Sequence, residues 1–137
     1  MADKPKVHPL VRAWAAGVFD GKAVVPRDAG HMFMDSQDES LLRRFLELIG
    51  VGYLKLLSGD KVKTAPRWRW GVSNMDDCRE AILFVAPFLS PQKTRQCADK
   101  LARIERNPLW RKRNPEKAEK LDAEASSAPS VAKTTAP

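Results

Sequence analysis

The segment that most constrains this chain runs from Pro9 to Gly21. Pro9 is placed to open a helix, Leu10 to Phe19 is apolar except for Arg12, and Asp20-Gly21 closes the run. Ala13, Ala16, Gly17 and Asp20 recur at three- and four-residue spacing and so share one helical face. A face of such small residues lets a second helix approach backbone to backbone. The alternative is an Ala-rich core helix whose small face packs on its own sheet.

Turn and cap signals divide the rest of the chain. Ala23 to Val25 and His31 to Met34 form a short β-prone pair around the turn Pro26 to Gly30. Ser36 with Glu39 reads as a capping box, opening a helix with Leu41, Leu42, Phe45, Leu46, Leu48 and Ile49 on an apolar stripe, closed by Gly50. Tyr53 to Leu57 reads as a strand, Ser58-Gly59-Asp60 as a turn, and Lys61 to Val72 as a basic β segment interrupted at Pro66. Ser73 with Asp76 is a second N-cap signature, before a helix holding Ala81, Ile82, Phe84 and Val85 that Pro87 ends or bends. Ser90-Pro91 starts a helix to about Arg106. The order α-ββ-α-ββ-α-α predicts an α+β fold without internal repeats. Trp68, Trp70, Phe84 and Phe88 are assigned to its core.

The 137 residues accommodate one domain and a tail. Residues 1–6 are expected to be flexible and 7–113 to hold the fold. Residues 114–137 are expected to be a disordered, low-complexity tail, because beyond Leu121 only Val131 is a sizeable apolar residue. No apolar run is long enough for a bilayer, the first residues lack the apolar core of a secretory signal, and two cysteines are too few for a disulfide framework or a cysteine-rich zinc site. A large multidomain enzyme, a membrane protein and a secreted mini-protein are excluded. The expected setting is cytoplasmic, nucleoid-associated in a bacterium or phage, with Cys78 and Cys97 as buried or idle thiols.

Lys and Arg number 24 against 17 acids, a net charge of +7, which points to a polyanionic partner, nucleic acid before membrane. The cations are patterned. Lys61, Lys63, Arg67 and Arg69 alternate with Val62, Trp68 and Trp70, which in a strand puts charge on one face and rings on the other; Lys55 joins the basic face. Between Tyr53 and Trp70 five cations stand against one acid, Asp60. A merely solvated sheet face is the alternative. Trp110 to Arg113 is either a basic arm or a solvated helix end. His8 and His31 are too far apart to suggest a metal pair and are assigned to surface or capping positions.

Several stretches, in this order, resemble the LAGLIDADG homing endonucleases. Trp14 to Ala23 (WAAGVFDGKA) resembles the family signature, and Leu48-Ile49-Gly50-Val51-Gly52-Tyr53 its turn into the third strand. Trp68-Arg69-Trp70 before a capped helix resembles its last strand, and Ala86-Pro87-Phe88-Leu89 with Lys93 and Gln96 its element after the third helix. The resemblance covers about Val7 to Leu101. It implies an αββαββα fold with an antiparallel, saddle-shaped sheet lying in the DNA major groove. It also implies a symmetric homodimer, because the chain holds one copy of the motif, with Ala13, Ala16, Gly17, Asp20 and Gly21 at the interface. The DNA-facing residues it implies are Lys22, Arg27, His31, Lys55, Lys61, Lys63, Arg67, Arg69 and Lys93, with double-stranded DNA as partner.

The departures bear on catalysis. Active members carry Asp or Glu two residues after the motif aspartate, as a metal ligand; here Lys22 stands there, removing an oxygen ligand and adding a charge that repels a cation. Lys93 and Gln96 match the family's basic residue near the scissile phosphate and its polar partner. Met34 falls where a polar residue is usual, and Asp38 where a basic one often sits. No intact catalytic set remains, and no cofactor is expected. Asp20 is a weak metal candidate, as are Asp35 and Asp38, all three being assigned first to caps or solvated faces. The reading is a DNA-binding, cleavage-deficient member. The alternatives are an active Mg²⁺-dependent endonuclease and an RNA-binding, maturase-like relative. Only thirteen residues separate Gly21 from Asp35, so the first hairpin is short, and a shorter footprint or less sequence discrimination than a homing enzyme has is expected.

Overall fold

Capping chemistry sets the helix starts. In the computed structural model, which describes residues 7–28, 30–58 and 66–127, helix α1 spans Pro9–Lys22, and His8 Nδ1 accepts a hydrogen bond from the Leu10 amide at 3.1 Å. Helix α2 spans Glu39–Ile49 and ends at Gly50, in the left-handed region at φ +78°. Its cap is Asp38, which accepts from the Leu41 amide, and not the expected Ser36. Ser36 Oγ instead accepts from the Asp38 amide and stiffens the approach. Helix α3 spans Met75–Val85 with Asn74 as cap, one residue beyond the expected Ser73; the Asn74 side chain accepts from the Asp77 amide and donates to its carboxylate. In both places a longer amide or carboxylate side chain lies nearer the first turn than the serine, and it takes the orphan donor.

Strands β1 (Ala23–Val24), β2 (Met32–Ser36), β3 (Tyr53–Ser58) and β4 (Arg67–Val72) form one antiparallel sheet in the order β1-β2-β4-β3. The chain thus runs αββαββα through α3, the expected α+β architecture. Period-two alternation sorts the side chains. Met32 opposes Val72, and Met34 opposes both Ala23 and Trp70; all five are buried. Trp70 stands edge-on to Phe19 of α1 and Phe45 of α2, with ring centroids 6.5 and 4.8 Å away, so both helices cover this face. Its indole donates to the Val51 carbonyl at 3.1 Å. Gly52 beside it has φ +105°, and a Cβ there would come within 2.6 Å of the Gly71 carbonyl and the Trp70 indole nitrogen. Only glycine fits.

Arg12 joins α1 to α3 by donating to the Phe84 and Leu83 carbonyls at 2.6 and 2.9 Å. After α3 a single 3-10 turn, Ala86–Phe88, contains Pro87, and α4 (Pro91–Arg106) follows. Phe88 is exposed, a correction to its assignment to the core; Trp68 and Phe84 are half-buried, and Trp70 is fully buried. Cys78 and Cys97 are buried free thiols, and burial pushes the pKa of each up to about 11.

A second compact unit begins at Glu105. It contains α5 (Pro108–Arg113) and α6 (Pro115–Ser127), so the expectation of disorder from Asn114 onward is corrected through Ser127. Pro115 suits a first helical position, and Lys, Glu and Ala are strong helix formers. Arg111 ties the unit together, reaching the Glu105 and Ala118 carbonyls and both Asp122 oxygens. Trp110 is buried, so the basic arm read from Trp110 to Arg113 is part of a helical pair. Residues 1–6 and 128–137, expected to be flexible or disordered, lie outside the described residues.

Candidate nucleic-acid interface

The sheet face turned away from α1 and α2 carries the charge. Along β2 this face holds Phe33 and Asp35; β4 contributes Arg67 and Arg69, and β3 contributes Tyr53 and Lys55. Lys55, Arg69 and Asp35 line up across three strands, with Tyr53, Gly71, Phe33 and Val24 in the neighbouring row. Tyr53 lies over Gly71, where a Cβ would meet its hydroxyl at 2.5 Å, so the glycine makes room for the ring. Lys55, Arg67 and Arg69 thus share the uncovered face, as the strand alternation predicts. Lys61 and Lys63 lie outside the described residues.

Asp35 is the site residue that the sequence missed in this role. Its Oδ1 accepts from Arg69 Nε at 2.7 Å and its Oδ2 from Arg69 Nη2 at 3.0 Å, while Arg67 Nη2 stands 3.7 Å from Oδ2. The Arg69 guanidinium carbon also lies 4.0 Å from the centre of the Phe33 ring. The hydrogen bonds to Asp35 hold the Arg69 pKa above its ordinary value. Alternation of Met32 and Met34 with Phe33 and Asp35 would have placed Asp35 on the polar face. Its partner, however, follows only from the β2–β4 register.

At the end of this sheet the β1–β2 turn carries Arg27 and His31, both exposed. His31 Nδ1 is 3.0 Å from Asp28 Oδ1, and its ring stacks on Phe33 with centroids 6.2 Å apart. The turn is anchored from α4 by Lys100, almost fully buried, whose ammonium donates to the Pro26 and Asp28 carbonyls. Burial holds the Lys100 pKa below its ordinary value. Arg27, Arg95, Gln96 and Lys100 line an open cleft of about 340 Å³. Its exposed guanidinium groups have the chemistry to meet a phosphate.

Of the residues that the resemblance assigned to catalysis, Asp20 and Lys93 come together at the end of α1, whereas Gln96 lines the cleft. Asp20 Oδ1 accepts from the Ser90 hydroxyl at 2.7 Å and the Ser90 amide at 3.0 Å. These two hydrogen bonds hold its carboxyl below the usual range, with Lys93 adding to the effect. Lys93 Nζ donates to the Ala23 carbonyl at 2.8 Å, at the C-cap of α1. Lys22 is exposed, and its charge helps to hold the Asp38 carboxyl below the usual range, behind the larger effects of Ser40 and the Leu41 amide. Met34 is fully buried on the opposite face of the sheet. Asp20 is thus held by Ser90 beside Lys93, and among the described residues no group of three His, Cys, Asp or Glu stands close enough to hold a metal ion.

Of the residues assigned to a dimer contact, Ala16 is fully buried inside the chain's own core, whereas Gly17 and Gly21 are exposed. A Cβ at either glycine would meet nothing within 4 Å. Ala13 and Asp20 are half-buried, and Leu10 is 75% exposed. One edge of the small-residue face thus packs in the chain's own core, and the other edge is open.

No helix among the described residues is long and apolar enough to cross a membrane. No family model matches the chain, and no curated protein is similar to it in sequence. Solved structures are similar in fold. The homing endonuclease I-CvuI in complex with the I-CreI target superposes with a TM-score of 0.56 at 18% identity, over 72% of this chain and 68% of that one. I-CvuI with its own target gives 0.55 at 17%, over 70% and 66%. The group I intron-encoded homing endonuclease I-CeuI complexed with DNA gives 0.56 at 17%, over 75% of this chain and 57% of that one. The αββαββα order, the sheet and these superpositions together establish that the chain has the fold of the LAGLIDADG homing endonucleases.

Proposed function

We propose that the chain binds double-stranded DNA as a homodimer and does not cleave it. The observation that carries this reading is the uncovered sheet face, on which Lys55, Arg67 and Arg69 stand together on the side away from α1 and α2. Structures of the same fold are DNA complexes, which supports the same face meeting a duplex. Cations facing a groove lower the binding free energy by releasing counterions, whatever the sequence. The open edge of α1, with Gly17, Gly21 and exposed Leu10, supports a second copy packing there. Lys22 in place of a metal-binding acid, and Asp20 engaged with Ser90, support loss of cleavage.

Fluorescence anisotropy with a labelled duplex in EDTA, repeated across salt concentrations, tests the binding. The wild type is expected to bind with a steep salt dependence. Joint replacement of Lys55 and Arg67 by Ala should flatten the slope of log K against log salt by about 0.9 for each phosphate that is no longer neutralised. An unchanged slope contradicts the reading, and tighter binding of structured RNA than of duplex would move the partner to RNA.

A further inference from the structure

We infer that Asp35 is a specificity-determining residue that fixes Arg69 to read a guanine in the major groove. The inference rests on the DNA-binding reading above and adds what the face selects.

Asp35 occupies one particular edge of Arg69. Its two oxygens take the Nε and Nη2 hydrogens at 2.7 and 3.0 Å, which is the lateral edge of the guanidinium. The end edge, formed by Nη1 and the second hydrogen of Nη2, points along the side chain and remains as a two-pronged donor. Guanine presents two adjacent acceptors, N7 and O6, in the major groove, and a two-pronged donor matches them. Phe33 lies 4.0 Å from the guanidinium carbon and supports the group from one face. An arginine held at its lateral edge and on one face has lost the freedom to swing towards a phosphate, so its ordering cost is met before DNA arrives.

Placement separates this pair from a merely stabilising ion pair. Both side chains stand mid-sheet on the uncovered face, with Asp35 16% and Arg69 28% exposed. Neighbouring Arg67, 54% exposed, meets Asp35 only through an ion-pair contact at 3.7 Å, without the two hydrogen bonds that fix Arg69. A carboxylate at the centre of a basic face weakens general attraction to phosphate. Its remaining lone pairs can accept from the amino group of the cytosine paired with that guanine, so the carboxylate suits the pair and not the guanine edge alone. Asp35 thus exchanges general affinity for selection.

Selection from a pool of randomised duplexes, with the full chain in EDTA, tests this, reading base preference and affinity for unselected duplex separately. The wild type is expected to select guanine at one position of each half-site. Asp35→Ala should weaken that preference about tenfold while leaving the affinity for unselected duplex equal or higher. Arg69→Lys keeps the charge but not the fork, and it should weaken the same preference whether or not the Asp35 variant folds well. A merely structural role for Asp35 would lower affinity for all duplexes together and leave the preference intact; that result overturns the inference, as does an unchanged preference in Arg69→Lys. A wild type that binds duplexes without selecting guanine overturns the inference alone. A wild type that binds no duplex overturns the DNA-binding reading with it.

Discussion

Asp20, in the last turn of α1, accepts two hydrogen bonds from Ser90, the residue that opens α4. One carboxylate oxygen thereby joins the end of the first helix to the start of the fourth, 70 residues later. Lys93, in the first turn of α4, completes the junction by donating to the Ala23 carbonyl. The motif aspartate is therefore a clasp in this chain.

The clasp has a pH signature. Ser90 holds the Asp20 carboxyl below its ordinary value, so the folded state binds the proton less readily than the unfolded one. The contribution is fully present above the unfolded value and is lost as pH falls through the folded one. Thermal melts of the wild type and Asp20→Asn should differ at neutral pH and converge below about pH 4. A constant difference across that window would contradict the assignment.

Gly17 is the position at which the proposed dimer contact can be tested apart from folding. A side chain there meets nothing in the chain, so Gly17→Ala should leave the fold intact and raise helix stability by about 0.5–1 kcal/mol. Gly17→Leu should still fold but run as a monomer in sedimentation velocity under conditions where the wild type is a dimer. A dimeric Gly17→Leu would place the contact elsewhere.

Gly52 is predicted to behave in the opposite way. Its φ of +105° and the 2.6 Å approach to the Gly71 carbonyl and Trp70 indole leave no room for a Cβ. Gly52→Ala should cost about 3 kcal/mol, read from urea unfolding, and break the Trp70–Val51 hydrogen bond. A change below about 0.5 kcal/mol would contradict this packing.

Lys100 gives an alkaline counterpart. Its pKa is lowered in the folded state by burial, so between the lowered and the ordinary value the unfolded chain holds more protons and stability rises with pH. Lys100→Met should lose about 2 kcal/mol at neutral pH, because the Pro26 and Asp28 carbonyls lose their donor. It should also lack the alkaline rise of the wild type. Identical pH profiles would contradict a buried ammonium.

What the sequence made legible was local. Pro9, Gly50 and Pro87 punctuate the chain where their backbone chemistry requires, and the alternation of Arg67 and Arg69 with Trp68 and Trp70 fixes which face is charged. What it left hidden depends on register and on competition between near-equal donors and acceptors. Asp35 meets Arg69 only because β2 pairs β4 with those residues opposite. Asp38 and Asn74 outcompete nearby serines for helix amides, a contest the motif spacing does not decide. Ala16 and Gly17 are neighbours of equal smallness, yet rotation by one residue puts the first in the core and the second in the open. Lys100 reads as one more surface cation until the turn it anchors is folded against it.

A nicking assay divides a DNA binder from a nuclease most sharply. It uses supercoiled plasmid with Mg²⁺ or Mn²⁺, at protein concentrations that shift a duplex fully in EDTA. A chain with Lys22 at the acid position and Asp20 clasped by Ser90 should give a complete gel shift and no metal-dependent nicking. Metal-dependent nicking that Asp20→Asn abolishes would contradict this, because Asp20 would then be a ligand and not a clasp, and Lys22 would not disable the site.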